Sequence, residues 1–132
     1  MSDASLFHLR VHYEDTDFSG FVYHANYLKY CERARSDYLR VKGVDQNAMF
    51  EAGDAFVVRR MACDFLAPAR FNDELVVATE FREMGGARFE LFQSVKRGDQ
   101  ALFTAAVTVV SIDGNGRPKR IPSELAAALT HP

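Results

Sequence analysis

Apolar residues recur with a helical period in only one long stretch of this chain. Between Asn26 and Lys42 they return every three or four positions. They are Tyr27, Cys31, Ala34, Tyr38 and Val41. This spacing predicts an amphipathic helix of about four to five turns, and Gly43 is suited to ending it. One long helix must bury its apolar face against other elements, and the rest of the sequence is typical of strands.

The strand-like segments lie on both sides of this helix. Leu6 to Tyr13 alternates apolar and polar residues, as a half-buried strand does. Four further segments follow the helix: Ala55–Ala67, Glu74–Glu83, Ala87–Arg97 and Ala101–Asp113. Gly85-Gly86 and Gly98-Asp99 predict tight hairpin turns, and Ser123–Leu129 predicts a short terminal helix. The order predicts a two-layer α+β domain, in which one helix lies against an antiparallel sheet of about five strands arranged mostly as a meander.

Length and composition limit the organisation of the chain. Its 132 residues, of which 48 % are hydrophobic, predict one globular domain over residues 1–132. Apolar runs are too short to span a bilayer, and the first residues lack a signal-peptide pattern, so we expect a cytoplasmic protein. A net charge of −2 gives no reason to expect nucleic acid. Eleven Phe and five Tyr are many large apolar side chains for so short a chain, so we expect a second copy to cover some of them.

The sequence gives little reason to expect a metal site or a disulfide bond. The chain has four His and two Cys, without the CxxC or HExxH spacing of metal sites. Cys31 and Cys63 are therefore expected to be reduced and buried. We expect no metal and no redox cofactor.

The candidate catalytic residues lie in the segment that precedes the predicted helix. Glu14, Asp15 and Asp17 crowd a loop that ends in Gly20, and His24 follows. A helix start offers unpaired N–H groups that can hold an oxyanion, while a carboxylate can act as nucleophile or general base. The same residue types also cap helices, so the local pattern alone leaves a structural role open.

Several motifs resemble those of one enzyme family. They are Tyr13-Glu14-Asp15-Thr16-Asp17, Gly20, Val22 to Tyr27, Glu32-Arg33-Ala34-Arg35, Asp64 to Ala69, Asp73 to Val77, Phe92 to Val95 and Gly116 to Pro122. Together they resemble the hotdog-fold acyl-CoA thioesterases of the 4-hydroxybenzoyl-CoA thioesterase family, closest to its Tol-Pal-associated, YbgC-like branch. The resemblance covers about Leu6 to Pro122.

The resemblance implies a fold, a reaction and an assembly. It implies a sheet wrapped around a central helix, and homodimers or homotetramers formed through sheet edges with active sites between subunits. It assigns Asp17 as the nucleophile or general base on a thioester, and the N–H at His24 as the group that polarises the carbonyl. Tyr13 and the His24 side chain join Asp17 in this branch. Coenzyme A is then part of the substrate, and a link to the Tol-Pal envelope system is implied by resemblance only.

Four other residues are weaker candidates. Arg59, Arg60 and Arg88 are candidates for contacts with coenzyme A phosphates, because Arg binds phosphate in a bidentate manner, and Asp64 is a candidate for the acyl site. Each also suits an ordinary exposed strand or turn position. The alternative functions are hydrolysis of an aromatic 4-hydroxybenzoyl- or 1,4-dihydroxynaphthoyl-CoA, non-catalytic binding of acyl-CoA, and a structural role in the envelope machinery.

Overall fold

The computed structural model describes residues 4–131; Met1–Asp3, part of the start that lacks a signal-peptide pattern, and Pro132 lie outside them. The elements in chain order are β1 (Ser5–Arg10), α1 (Asn26–Val41), α2 (Gln46–Glu51), β2 (Ala55–Phe65), β3 (Glu74–Gly85), β4 (Arg88–Arg97), β5 (Gln100–Ile112) and α3 (Ser123–Thr130). A short 3₁₀ turn, Tyr13–Asp15, follows β1. Across residues 4–131, no helix has the length and apolar character needed to cross a membrane.

The five strands form one antiparallel sheet in the order β1-β3-β4-β5-β2. The predicted α+β class and strand number are confirmed. The predicted meander holds for β3, β4 and β5, but it is wrong for β2, which pairs with β5 and not with β3. β1 and β2 are therefore the two edge strands. A β-bulge at Arg59 interrupts the pairing of β2, between Val58 and Arg60.

The helix α1 buries its apolar stripe against the inner face of the sheet. Tyr27, Cys31, Ala34 and Tyr38 are buried as predicted, whereas Val41, the last residue of the stripe, is exposed. The Tyr27 ring stacks on Phe103 of β5 at 5.2 Å between centroids. The stripe loses contact at Val41 because the helix ends there, and Gly43 follows with the positive φ of +86° that such an end requires.

Several predicted boundaries change. The first strand ends at Arg10, because residues 13–15 turn into the 3₁₀ helix instead of extending the strand to Tyr13. The segment between α1 and β2, for which the sequence predicted neither a helix nor a strand, contains α2, whose N-cap Asp45 accepts a hydrogen bond from the Ala48 N–H at 3.1 Å. In the β3–β4 hairpin only Gly86 of the glycine pair has a positive φ, because β3 continues through Gly85.

Candidate active site

The acidic loop, Glu14–Gly20, connects the end of β1 to the start of α1. Its ends are tied by an antiparallel bridge between Thr16 and Val22. The Val22 N–H donates to the Ala69 carbonyl at 2.9 Å, and Phe21 forms a β-bridge with Arg70. The segment between β2 and β3 therefore holds the end of the loop in place. The loop is therefore a defined structure that presents its side chains from a fixed backbone.

Asn26, the first residue of α1, fastens the loop to the helix. Its side-chain amide donates to the Asp15 carbonyl oxygen at 2.8 Å, and the Tyr23 N–H donates to the same oxygen at 2.9 Å. The Asp15 carboxylate accepts the His12 N–H at 2.8 Å. Burial and the adjacent Asp15 carboxylate raise the pKa of Tyr30, so this phenol stays neutral. The distance from the loop to the helix start is thus fixed by hydrogen bonds at Asp15.

Asp17 lies on the exposed side of the loop with its carboxylate held in one orientation. Its Oδ1 accepts the Ser19 N–H at 2.8 Å and a short hydrogen bond from the Ser19 hydroxyl. These two bonds, the hydroxyl first, hold the pKa of Asp17 below its ordinary value of 3.8, and the nearby His24 lowers it further. Asp17 is therefore an ionised carboxylate, open to a ligand from solvent.

His24 lies two residues before α1, near enough to Asp17 for its charge to lower the pKa of that carboxyl. Its ring packs against Tyr23 at 4.6 Å and against Phe65 of β2 at 6.1 Å between centroids. Among residues 4–131, no acceptor is found for the His24 backbone N–H. A carboxylate and an unused N–H at a helix start are the two groups that acyl transfer needs near one carbonyl carbon.

Tyr13 is placed differently from the core strand residue that its alternation suggested. It lies in the 3₁₀ turn, is 81 % exposed, and its ring contacts Phe71 edge-on at 6.2 Å. Within the described residues, no hydrogen bond joins its hydroxyl to Asp17. The structure thus places His24 near enough to Asp17 to act on its charge, whereas the exposed Tyr13 is accessible to a bound molecule.

The remaining candidates lie on the sheet. Arg59, at the bulge, and Arg60 are exposed on the edge strand β2, and neither forms a salt bridge in the part of the chain that the structure describes. Arg88 lies between two carboxylates, at 3.4 Å from Glu83 and 3.7 Å from Glu90.

Asp64 pairs with Thr104 and, by strand alternation, faces away from its neighbour Phe65, which contacts His24. Asp64 therefore lies on the other face of the sheet from Asp17 and His24 within one copy.

Two contributors to the site were missed from the sequence. Ser19 stands two residues after Asp17, the spacing at which an Asp side chain accepts a backbone N–H in an Asx turn, so that spacing was a usable signal. Phe65 reaches His24 only because β2 pairs with β5, and no local pattern predicts that pairing. In residues 4–131 no group of three or more metal-ligating side chains comes together.

Large apolar side chains next to Asp17 in the sequence, or in the segments that contact His24 and Tyr13, are exposed. They are Tyr13, Phe18, Tyr23, Phe65, Leu66 and Phe71, and Phe18 is fully exposed. A partly enclosed cavity of about 140 Å³ lies further along α1, against the first half of β2, and Asp17 does not line it. The apolar surface beside Asp17 is a surface for a ligand or another protein chain.

Comparison with known proteins agrees with this geometry. The family model of the thioesterase-like superfamily matches residues 11–129. The acyl-CoA thioesterase YbgC of Haemophilus influenzae is 42 % identical over 95 % of this chain and 93 % of its own length. The acyl-CoA thioester hydrolase YbgC of Escherichia coli O6:H1 is 39 % identical over 90 % of each chain.

Solved structures of thioesterases are also similar to this chain. A probable thioesterase from Bartonella henselae is 39 % identical, with a TM-score of 0.85 over 90 % of this chain and 99 % of that one. Slr0204 from Synechocystis, a 1,4-dihydroxy-2-naphthoyl-CoA thioesterase, has a TM-score of 0.89 over 97 % of this chain and 96 % of that one; at 23 % identity it shows the fold alone. With its five-stranded sheet and its helix α1, the chain belongs to the thioesterase-like superfamily and has the hotdog fold.

Proposed function

We propose that this protein hydrolyses acyl-CoA thioesters to a free acid and coenzyme A. The observation that carries the proposal is the pairing of an ionised, exposed Asp17 carboxylate with an unused N–H at His24, at the start of α1. The relatives named YbgC, which match nearly the whole chain, support the substrate class.

The proposed reaction uses these two groups in sequence. Either the Asp17 carboxylate attacks the thioester carbonyl carbon, or it takes a proton from a water molecule that attacks there. The His24 N–H holds the oxygen on which negative charge develops. The C–S bond then breaks, the sulfur leaves as coenzyme A thiolate and takes a proton, and the water oxygen ends in the acid. In the nucleophilic route, water hydrolyses the intermediate anhydride.

The side chains of His24 and Tyr13 have supporting roles in this proposal. The imidazole lies near enough to Asp17 to lower its pKa, and in this proposal it orients water or the leaving sulfur. Tyr13 is exposed and has a free hydroxyl to contact the substrate. The chemistry needs no metal and no redox cofactor, because a carboxylate and a backbone donor supply both the base and the oxyanion site.

Arg59 and Arg60 are the proposed contacts for the coenzyme A phosphates. Both are exposed on β2 without a carboxylate partner among residues 4–131, so their guanidinium groups are available. Arg88 is a weaker candidate because Glu83 and Glu90 already neutralise it. Asp64 faces the opposite side of the sheet from His24, so in this proposal it acts only through another copy.

A second copy of the chain completes the proposed site. The edge strand β2 has a free side for backbone hydrogen bonds, and it carries exposed Val57 and Val58. Free edges and exposed apolar patches are the surfaces that pair in oligomers. We propose a homodimer formed along β2, or a tetramer built from it, acting in the cytoplasm. A functional link to the Tol-Pal envelope system rests on the family resemblance.

The test is release of coenzyme A from a panel of acyl-CoAs. Short-chain, long-chain and aromatic substrates are supplied, the free thiol is followed with a chromogenic reagent, and the acid product is identified by mass spectrometry. We expect turnover of aliphatic acyl-CoAs. Best turnover of an aromatic substrate supports the aromatic alternative, and BH1999, a gentisyl-coenzyme A thioesterase 25 % identical with a TM-score of 0.87, is the reason to include one. Tight binding without thiol release on every substrate would contradict the proposal.

A further inference from the structure

Both hydrogen bonds to the Asp17 carboxylate reach the same oxygen and come from the same residue. Ser19 donates its N–H at 2.8 Å and its hydroxyl to Oδ1. Among residues 4–131, Oδ2 receives no hydrogen bond. The two oxygens are therefore chemically different before any substrate arrives.

The Ser19 hydroxyl is itself oriented by the backbone. Its oxygen accepts the Phe21 N–H at 3.2 Å. Because a hydroxyl has a single proton, an oxygen that accepts from Phe21 is free to direct that proton to Asp17. The Asp17 N–H donates to the Phe21 carbonyl at 3.0 Å, which closes the loop around these three residues.

We propose that Ser19 is a positioning residue for the reaction: it fixes Oδ1 of Asp17 and makes Oδ2 the oxygen that attacks or takes the proton. This inference rests on the proposed function of Asp17. Two donors on one oxygen restrict the rotation of the carboxylate about its Cβ–Cγ bond and leave Oδ2 without a donor from Ser19. A serine at this position thus determines which oxygen of the carboxylate is available to react.

The hydrogen bonds from Ser19 to Asp17 predict how the activity should depend on pH. Hydrogen bonds to the ionised form favour that form, which agrees with the lowered pKa of Asp17. Removing the Ser19 hydroxyl leaves the Ser19 N–H and raises the pKa towards the ordinary value, so the acid loss of activity starts at a higher pH. Within the described residues, His24 is the titratable group whose charge acts on Asp17.

The experiment compares Ser19→Ala, Ser19→Thr and the control Thr108→Val. Thr108 also has a hydroxyl near a carboxylate, with its Oγ1 at 3.4 Å from Glu90 Oε1, and it lies on β5, outside the acidic loop. We expect the acid limb of kcat/KM to move to higher pH in Ser19→Ala and to stay at its original pH in Ser19→Thr and Thr108→Val. The coenzyme A phosphates titrate equally in every variant, so they do not produce this difference.

A second readout does not depend on activity. The carboxyl carbon of Asp17, assigned by its loss in Asp17→Asn, is titrated by ¹³C NMR in the parent and in Ser19→Ala, with and without His24→Ala. We expect the Ser19→Ala midpoint to lie at higher pH in both backgrounds. Equal midpoints in the parent and in Ser19→Ala overturn the inference. A shifted midpoint together with full activity of Asp17→Asn overturns the proposed function and leaves the contact between Ser19 and Asp17 in place.

Discussion

The side-chain amide of Gln93, in the middle of β4, donates a hydrogen bond to the backbone carbonyl oxygen of Cys31 on α1 over 2.9 Å. The same amide nitrogen donates to Thr79 Oγ1 on β3 at 3.0 Å, and the side-chain oxygen accepts from Arg35 at 3.0 Å. Gln93 is fully buried. One polar side chain therefore joins the helix to two neighbouring strands inside an otherwise apolar core.

Replacing Gln93 with Leu tests the energy of this junction. Leu fills most of the volume but leaves the buried Thr79 hydroxyl and the half-buried Arg35 guanidinium without Gln93 as a partner, and each such loss costs about 1–3 kcal/mol. The Cys31 carbonyl loses its bond to Gln93 but keeps the backbone hydrogen bond of the helix. We expect the free energy of unfolding to fall by about 2–4 kcal/mol, measured by urea denaturation. The control is Gln100→Leu, at an exposed position on β5, and it should change stability little. A Gln93→Leu variant as stable as the parent would contradict this account.

Asp17→Asn removes the charge and keeps the shape of the side chain. If Asp17 acts as nucleophile or base, kcat should fall by about 10²–10⁴-fold, with a smaller change in KM. Steady-state thiol release on the best substrate measures both constants. Asp99→Asn, in the exposed turn between β4 and β5, is the matched control and should retain parent activity. Near-normal turnover of Asp17→Asn would remove Asp17 from the mechanism.

His24→Ala separates the backbone of this residue from its side chain. The N–H that we assign to the carbonyl oxygen remains, whereas the imidazole is lost. We expect a smaller fall in kcat than in Asp17→Asn, with the fold unchanged in circular dichroism and the oligomer unchanged in size-exclusion chromatography. Parent activity on short, long and aromatic acyl-CoAs would show that the imidazole has no part in the reaction.

Val58→Glu tests the proposed dimer edge. Two copies paired along β2 would bring equal negative charges together in an apolar contact, so we expect dissociation to a 14.9 kDa monomer in light scattering and loss of activity. Leu6→Glu places the same substitution on β1, the other edge strand, where the side chain is also exposed. It should leave the oligomer intact. Dissociation by Leu6→Glu and not by Val58→Glu would assign the interface to β1.

The buried Cys31 thiol should be nearly unreactive in the folded protein, whereas Cys63 is only partly buried. Burial raises the pKa of Cys31 to about 12 and raises the pKa of Cys63 as well. At pH 8 the thiolate fraction of Cys31 is then roughly a thousandfold below that of a free cysteine. In Cys63→Ser we expect one thiol to react with a chromogenic disulfide in guanidinium, and to react at least a hundredfold more slowly in native buffer. Equal rates in the two conditions would contradict the burial of Cys31.

The sequence predicts the elements of this fold better than their arrangement. The period of α1 and the alternation of the strands are local signals, and both gave bounds within a few residues of those observed. The pairing of β2 with β5 joins residues such as Met61 and Val107, which are neighbours only in the folded sheet. The helix α2 has six residues, too few for its period to be recognised, although Asp45 and the Ala48 N–H form an ordinary N-cap.

The candidate site also contains residues that local sequence predicts and residues whose placement depends on the folded sheet. Asp17 and His24 are close in sequence and both precede the start of one helix, so a motif predicts that they lie near each other. Asp64 was assigned by its position near the end of an apolar strand, but alternation along β2 turns it to the face opposite Phe65. The direction of a strand residue depends on register, and the bulge at Arg59 shifts the register within β2.

The position of β1 has a consequence for the order of folding. β3, β4 and β5 are joined by tight turns, so their hairpins can form from local contacts. β1 must wait for β3, because its partners, such as Arg10 and Glu74, are 64 residues apart. The acidic loop lies between this late strand and α1. On refolding from denaturant, far-ultraviolet circular dichroism should therefore recover before thioesterase turnover, because the acidic loop is in place only after β1 has docked.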